Sequence, residues 1–145
     1  MDIRARIQAI READPNFWRD PRTLEVAKLA WGAECHVNPH GVFSPCPKEI
    51  VARCGKAVAE VGICRVRDGI FVFCTRLQTG NYGYSYAPSV WVDEPYATEE
   101  EARRAGIREL IEGTVAKPGL SKAENAELSV LRARLMGQIR QPTLF

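Results

Sequence analysis

Midway along the chain, Asp68-Gly69 separates two apolar runs, residues 62–67 and 70–77, and this arrangement constrains the fold more than any other feature. Runs that alternate at period two read as strands. A two-residue Asp-Gly link between them predicts a type I′ hairpin, in which glycine takes a positive φ without steric cost. Ile70, Phe71, Val72, Phe73 and Cys74 place apolar side chains on both faces, so this strand is expected at the centre of its sheet. A third strand is expected over residues 84–92, where Tyr84, Tyr86 and Trp91 suit a sheet surface.

Helical periodicity flanks this hairpin. Ile3, Ile7 and Ile10 share one face behind Asp2 as N-cap, which predicts a helix over residues 2–13, stopped by Asp14-Pro15. Asp20-Pro21 combines an N-cap with proline at the first helical position. The helix it starts turns Leu24, Ala27, Ala30 and Trp31 inward and ends near 32–35. Residues 36–47, with three prolines and a glycine, read as a loop. From Pro47, Ile50, Val51, Cys54, Ala57, Val58 and Val61 recur at helical spacing and predict a third helix. Thr98 and Glu101 form a capping box for a helix reaching about residue 112, closed by Gly113. Ser121 and Glu124 repeat the device before a last helix striped by Leu128, Leu131, Leu135 and Ile139, and Pro142 ends it. That stripe either closes the core or makes a dimer seam. The expected fold is α+β: N-terminal helices, a three-stranded antiparallel sheet and two C-terminal helices. Residues 1–140 are read as one domain and 141–145 as a C-terminal peptide.

Composition narrows the function classes. At 145 residues and 46% hydrophobic, the chain can bury a core, which excludes wholesale disorder. No run approaches the length of a membrane span, and a net charge of +2 is too balanced to announce nucleic acid by bulk charge. The start, Met1-Asp2-Ile3-Arg4-Ala5-Arg6, lacks the apolar region of a signal peptide. Five cysteines without an export signal then suit a cytoplasmic protein with free thiols. Arginine outnumbers lysine, as expected of a GC-rich bacterial or phage gene.

No G-x-S-x-G, H-E-x-x-H, Walker A or G-x-G-x-x-G occurs, so no enzyme activity and no cofactor are expected. Cys35, His36, His40, Cys46 and Cys54 are ligand types for zinc, yet no C-x-x-C presents two thiols together. If zinc binds, Cys35, Cys46 and either His36 or His40 are the ligands expected. A Cys–His nucleophile pair lacks an orienting third group. Cys54, Cys64 and Cys74 lie in apolar patterns and read as core. Glu99, Glu100 and Glu101 sit where a helix N-terminus favours negative charge.

Two segments read as recognition elements. Tyr82, Tyr84 and Tyr86 lie in a glycine-bearing loop. Tyrosine offers large contact area at low entropic cost, so Tyr82 and Tyr84 are candidate partner contacts for a base or a protein. The turn position favours Tyr82; Tyr84 and Tyr86 suit coverage of a sheet face.

The second segment is Gln141-Pro142-Thr143-Leu144-Phe145. It resembles the bacterial sliding-clamp-binding motif, Gln-x-x-Leu-Phe, carried by replicative and translesion polymerases and repair proteins. The resemblance implies that Gln141, Leu144 and Phe145 recognise the clamp, with Pro142 and Thr143 as spacers. Proline departs from the leucine most often found at its position in that family. Leu144 and Phe145 suit an apolar cleft, Gln141 its mouth, and Pro142 pre-sets φ. Arg132, Arg134 and Arg140 place positive charge near the peptide. The resulting expectation is a small non-enzymatic binding protein of bacterial, phage or plasmid origin that engages the clamp as tether or inhibitor, with direct DNA contact left open. The alternatives are a counter-defence protein of the anti-CRISPR or antirestriction kind, binding a host complex through loop 78–86, and a zinc protein centred on residues 35–54.

Overall fold

A computed structural model describes residues 2–140. The helices begin and end where local chemistry dictates. Helix α1 (Ile3–Ala13) is capped by Asp2, which accepts from the Ala5 amide at 2.7 Å. Helix α2 (Pro21–Trp31) starts on Asp20, which accepts from the Arg22 amide at 2.9 Å, and closes on Gly32 in the left-handed region at φ 63°. Helix α3 (Glu99–Gly113) opens on Thr98, whose Oγ1 accepts from Glu101 N at 3.1 Å. Helix α4 (Lys122–Arg140) opens on Ser121, whose Oγ accepts from Glu124 N at 3.1 Å.

The expected third helix and three-stranded sheet are overturned. Residues 48–61 form strands instead. The chain carries β1 (His36–Val37) paired with β2 (Phe43–Ser44), and a separate four-stranded sheet of β3 (Lys48–Cys54), β4 (Ala57–Arg67), β5 (Ile70–Gln78) and β6 (Gly83–Ser85), in that order. The class remains α+β, with four helices and two sheets among the described residues. Cys54 pairs with Ala57 across a two-residue turn, Gly55-Lys56, with Gly55 at φ 59°. Glycine first in the turn is the II′ signature. Along β4, Ala57, Ala59 and Val61 are buried in alternation, a period of two that coincides with helical spacing only at scattered positions. Ile50, Val51, Val58 and Val61 are β-branched and prefer the pleat. The segment expected to be loop, 36–47, contains the small β1–β2 pair, and the strand expected over 84–92 stops at Ser85. Asp68 does not take a positive φ, so the Asp68-Gly69 link is not type I′.

The described chain forms two compact units. The first holds the residues up to 47 together with 63–73 and 87–102; the second holds 48–62, 74–86 and those from 103 onward. In the first unit α1 packs on α2, and one core gathers Ile7, Ala27, Trp31, Phe43, Val72 and Val90. In the second, α4 packs on β3, and Leu128, Leu131 and Leu135 of α4 are fully buried with Ile107 and Leu110 of α3. Charge divides unequally. The first unit carries eight Lys/Arg against twelve Asp/Glu, and the second twelve against six. No helix among the described residues is long and apolar enough to cross a membrane.

Candidate interaction site

The tyrosine loop is built from the end of β5. Thr79 N donates to the Tyr82 carbonyl at 2.7 Å, and Tyr82 N donates back to Thr79 Oγ1 at 3.0 Å, closing a turn over Gly80-Asn81. Glu124, only 9% exposed in the first turn of α4, holds this turn from behind. Its carboxylate accepts from Asn81 Nδ2 at 2.6 Å and from Thr79 Oγ1 at 2.9 Å. These bonds, Asn81 first, hold the Glu124 carboxyl below its ordinary value. The turn is therefore pre-organised, with Gly80 and Asn81 exposed at its tip while the Asn81 amide reaches back to Glu124.

The three tyrosines are used differently. Lys117 Nζ lies 4.6 Å from the Tyr82 ring centre and also donates to the carbonyls of Gly113 and Val115. Burial lowers the pKa of that amine. Tyr84 and Tyr86 stack, with ring centres 6.5 Å apart and planes 14° apart. Thr75 Oγ1, fully buried on β5, donates to Glu109 Oε2 of α3 at 2.6 Å, and Tyr86 OH donates to the same oxygen. With its proton committed to a carboxylate, Thr75 can only accept from Tyr84 OH at 3.0 Å. Burial raises the Tyr84 pKa. Tyr84 and Tyr86 thus point their hydroxyls inward, whereas Tyr82 is half-buried in the turn beside the exposed Gly80 and Asn81. Glu109 carried no signal in the sequence, since a lone glutamate on a helix usually faces water.

The thiols and imidazoles do not converge. His36 and His40 are exposed, in β1 and in the turn after it, where four-residue spacing does not pair side chains as on a helix. Cys35 lies beside the Cys64 thiol with its pKa raised by burial, and Cys46 packs against the first core. Cys54 ends β3 in the second unit. Among the described residues no three His, Cys, Asp or Glu side chains could hold a metal together.

Gln141, Pro142, Leu144 and Phe145 lie outside the described residues. Of the arginines preceding them, Arg132 donates to the Ile111 carbonyl near the end of α3 at 3.3 Å, and Arg134 donates to the carbonyl of Arg53. Arg140 is exposed. No known protein family, characterised protein or solved structure matches this chain.

Glu124→Gln tests the turn. An amide offers one acceptor where the carboxylate offered two, so one of the two donors loses its partner. The melting temperature at pH 7 is expected to fall by about 3 °C. A folded pKa below the unfolded one gives stability that is complete above about pH 4.3 and disappears as pH falls through the folded value. The gap between wild type and variant should therefore close on acidification. A gap that stays constant down to pH 3 contradicts an ionised Glu124 as the anchor.

Proposed function

We propose that this chain is a small binding protein that engages the bacterial DNA sliding clamp through Gln141-Pro142-Thr143-Leu144-Phe145. The observation that carries the reading is the pentapeptide, with a glutamine three residues before an apolar pair. Leu144 and Phe145 anchor in an apolar cleft, each contributing about 1.5–3 kcal/mol. Gln141 bonds at the cleft mouth, and Pro142 lowers the ordering cost of the peptide. The basic balance of the second unit, twelve Lys/Arg to six Asp/Glu, supports the reading by favouring encounter with an acidic partner or with the DNA that a clamp encircles. The protein then uses the clamp as a tether, or occupies the cleft and excludes polymerases, as a cytoplasmic protein of bacterial, phage or plasmid origin.

A second reading rests on the pre-organised turn at 79–82, which supports a counter-defence protein that binds a host complex through Asn81 and Tyr82. Calorimetry of the intact chain, and of a version ending at Arg140, against the host's sliding clamp separates the two. The clamp reading expects a dissociation constant of about 1 μM or tighter that is lost on truncation. Absence of binding by the intact chain overturns it. Capture of a host complex that survives truncation but not Asn81→Ala favours the second reading.

A further inference from the structure

We propose that the first unit holds a ligand site, independent of the clamp peptide, for a small planar aromatic anion of the nucleoside monophosphate class. The site is a cleft of about 400 Å³ between the turn leading into α2 and the turn after β1. That size lies within the range of small-molecule pockets. Trp91 and Leu24, both nearly buried, line it together with Trp18, Pro21 and Pro39.

The indole of Trp91 is fixed from several sides. Phe17 packs on it with ring centres 4.9 Å apart, and the main-chain amide of Trp91 donates to Ser89 Oγ at 3.2 Å. Gly41 lies so close that a Cβ there would stand 2.7 Å from Trp91 Nε1. Gly41 also has φ 83°, so space and backbone both demand glycine. Trp18 contrasts with this. It is 53% exposed, and an indole left half in water at the mouth of a cleft presents a stacking face.

The rim selects an anion. The Arg19 guanidinium lies 4.3 Å from the Trp18 ring centre and forms no ion pair with a carboxylate among the described residues. His40 also lines the cleft, and its imidazole can supply a second donor. Asp20, the acidic group at the rim, is already engaged as the cap of α2, accepting from the Arg22 amide and pairing with the Arg22 guanidinium. The charge left uncompensated is cationic and sits beside a stacking surface, the combination that fits a base with an attached phosphate. The acidic excess of the unit as a whole, twelve to eight, opposes a long polyanion and selects a mononucleotide over a strand.

Titration of the intact chain with AMP, GMP, CMP and UMP, followed by tryptophan fluorescence and by indole N–H resonances, tests this. At least one is expected to saturate at millimolar concentration or below, moving the resonances of Trp18 and Trp91. Adenosine and inorganic phosphate report base and phosphate separately, and each alone should bind about tenfold or more weakly. Trp18→Ala should abolish saturation. Arg19→Gln, which removes the charge but leaves the exposed turn intact, should reduce binding about tenfold and bring the nucleotide level with its nucleoside. Failure of all four nucleotides to saturate below about 10 mM overturns the site, as does unchanged binding by Arg19→Gln. Tighter binding of a thymidine oligonucleotide overturns the mononucleotide assignment.

Discussion

Trp31→Ala is expected to remove about 3–5 kcal/mol of stability, enough to unfold the first unit or leave it marginal at 25 °C. Trp31 ends α2, is wholly buried, and meets Phe43 edge-on with ring centres 5.1 Å apart. Its Nε1 donates to the carbonyl of Val90 at 2.9 Å, across fifty-nine residues of sequence. Truncation therefore empties the largest fully buried side chain of this core and strands a carbonyl on a fully buried residue. Trp31→Phe separates the two effects. It keeps most of the apolar volume and loses the donor, so its loss should be nearer 1–3 kcal/mol, roughly what a buried acceptor without a partner costs. Urea unfolding followed by far-UV circular dichroism measures both. A loss below about 1 kcal/mol for the alanine variant is incompatible with Trp31 at the centre of this core.

Trp31 also illustrates what was legible in the sequence. Its inward position followed from spacing with Leu24 and Ala27, and the helix boundaries followed from Asp20, Pro21 and Gly32, because capping is a local interaction that a short stretch of sequence contains entirely. Thr98 and Ser121 were readable for the same reason. The second half of the second box was not. Glu101 reaches back to the Ala97 amide at 3.3 Å, but the Glu124 carboxylate leaves its own helix for Thr79 and Asn81. A partner more than forty residues away can take a side chain from its local role, and no local pattern reports it. The stretch 48–61 failed differently. Its apolar residues fit both periods, and the decision lay with Gly55, which is tolerable inside a weak helix but is required by a two-residue II′ turn. The β-branched Ile50, Val51, Val58 and Val61 point the same way, toward strands.

The candidate sites divide along the same line. Tyr82 could be assigned to a turn because Gly80 and Gly83 bracket it. The inward hydroxyls of Tyr84 and Tyr86 depend on Thr75 and Glu109, which the fold alone brings together. The cleft at Trp18 is likewise a product of tertiary placement, since Trp91 and His40 reach it from distant segments. Peptide motifs are the opposite case. Recognition by a short peptide needs only its own few side chains, so the resemblance at Gln141, Leu144 and Phe145 rests on sequence with no reference to the fold.

That independence sets the remaining expectation: Leu144→Ala combined with Phe145→Ala should weaken binding to the host's sliding clamp by at least about a hundredfold. Two anchors contributing about 1.5–3 kcal/mol each give about 3–6 kcal/mol together, and each 1.4 kcal/mol is tenfold. Gln141→Ala removes hydrogen bonds at the cleft mouth and should cost about tenfold. Pro142→Gly leaves every contact side chain in place and raises only the ordering cost, which predicts a two- to fivefold loss at about 0.4–1 kcal/mol. Charge at Arg140 should act mainly on the association rate, so its contribution fades as salt rises while those of the anchors do not. The order of the losses is as informative as their size. A peptide seated in an apolar cleft must respond to its two anchors before its glutamine, and to its glutamine before its proline. A uniform small response, or one dominated by Arg140 and abolished by salt, would mean that any attraction to the clamp is electrostatic and that the resemblance of these five residues to the motif is coincidental. With the expected order in hand, competition by a polymerase-derived peptide for the same cleft becomes the decisive step. Mutual exclusion at equal affinity fits an inhibitor, whereas much weaker binding than the polymerase peptide fits a tether that yields to it.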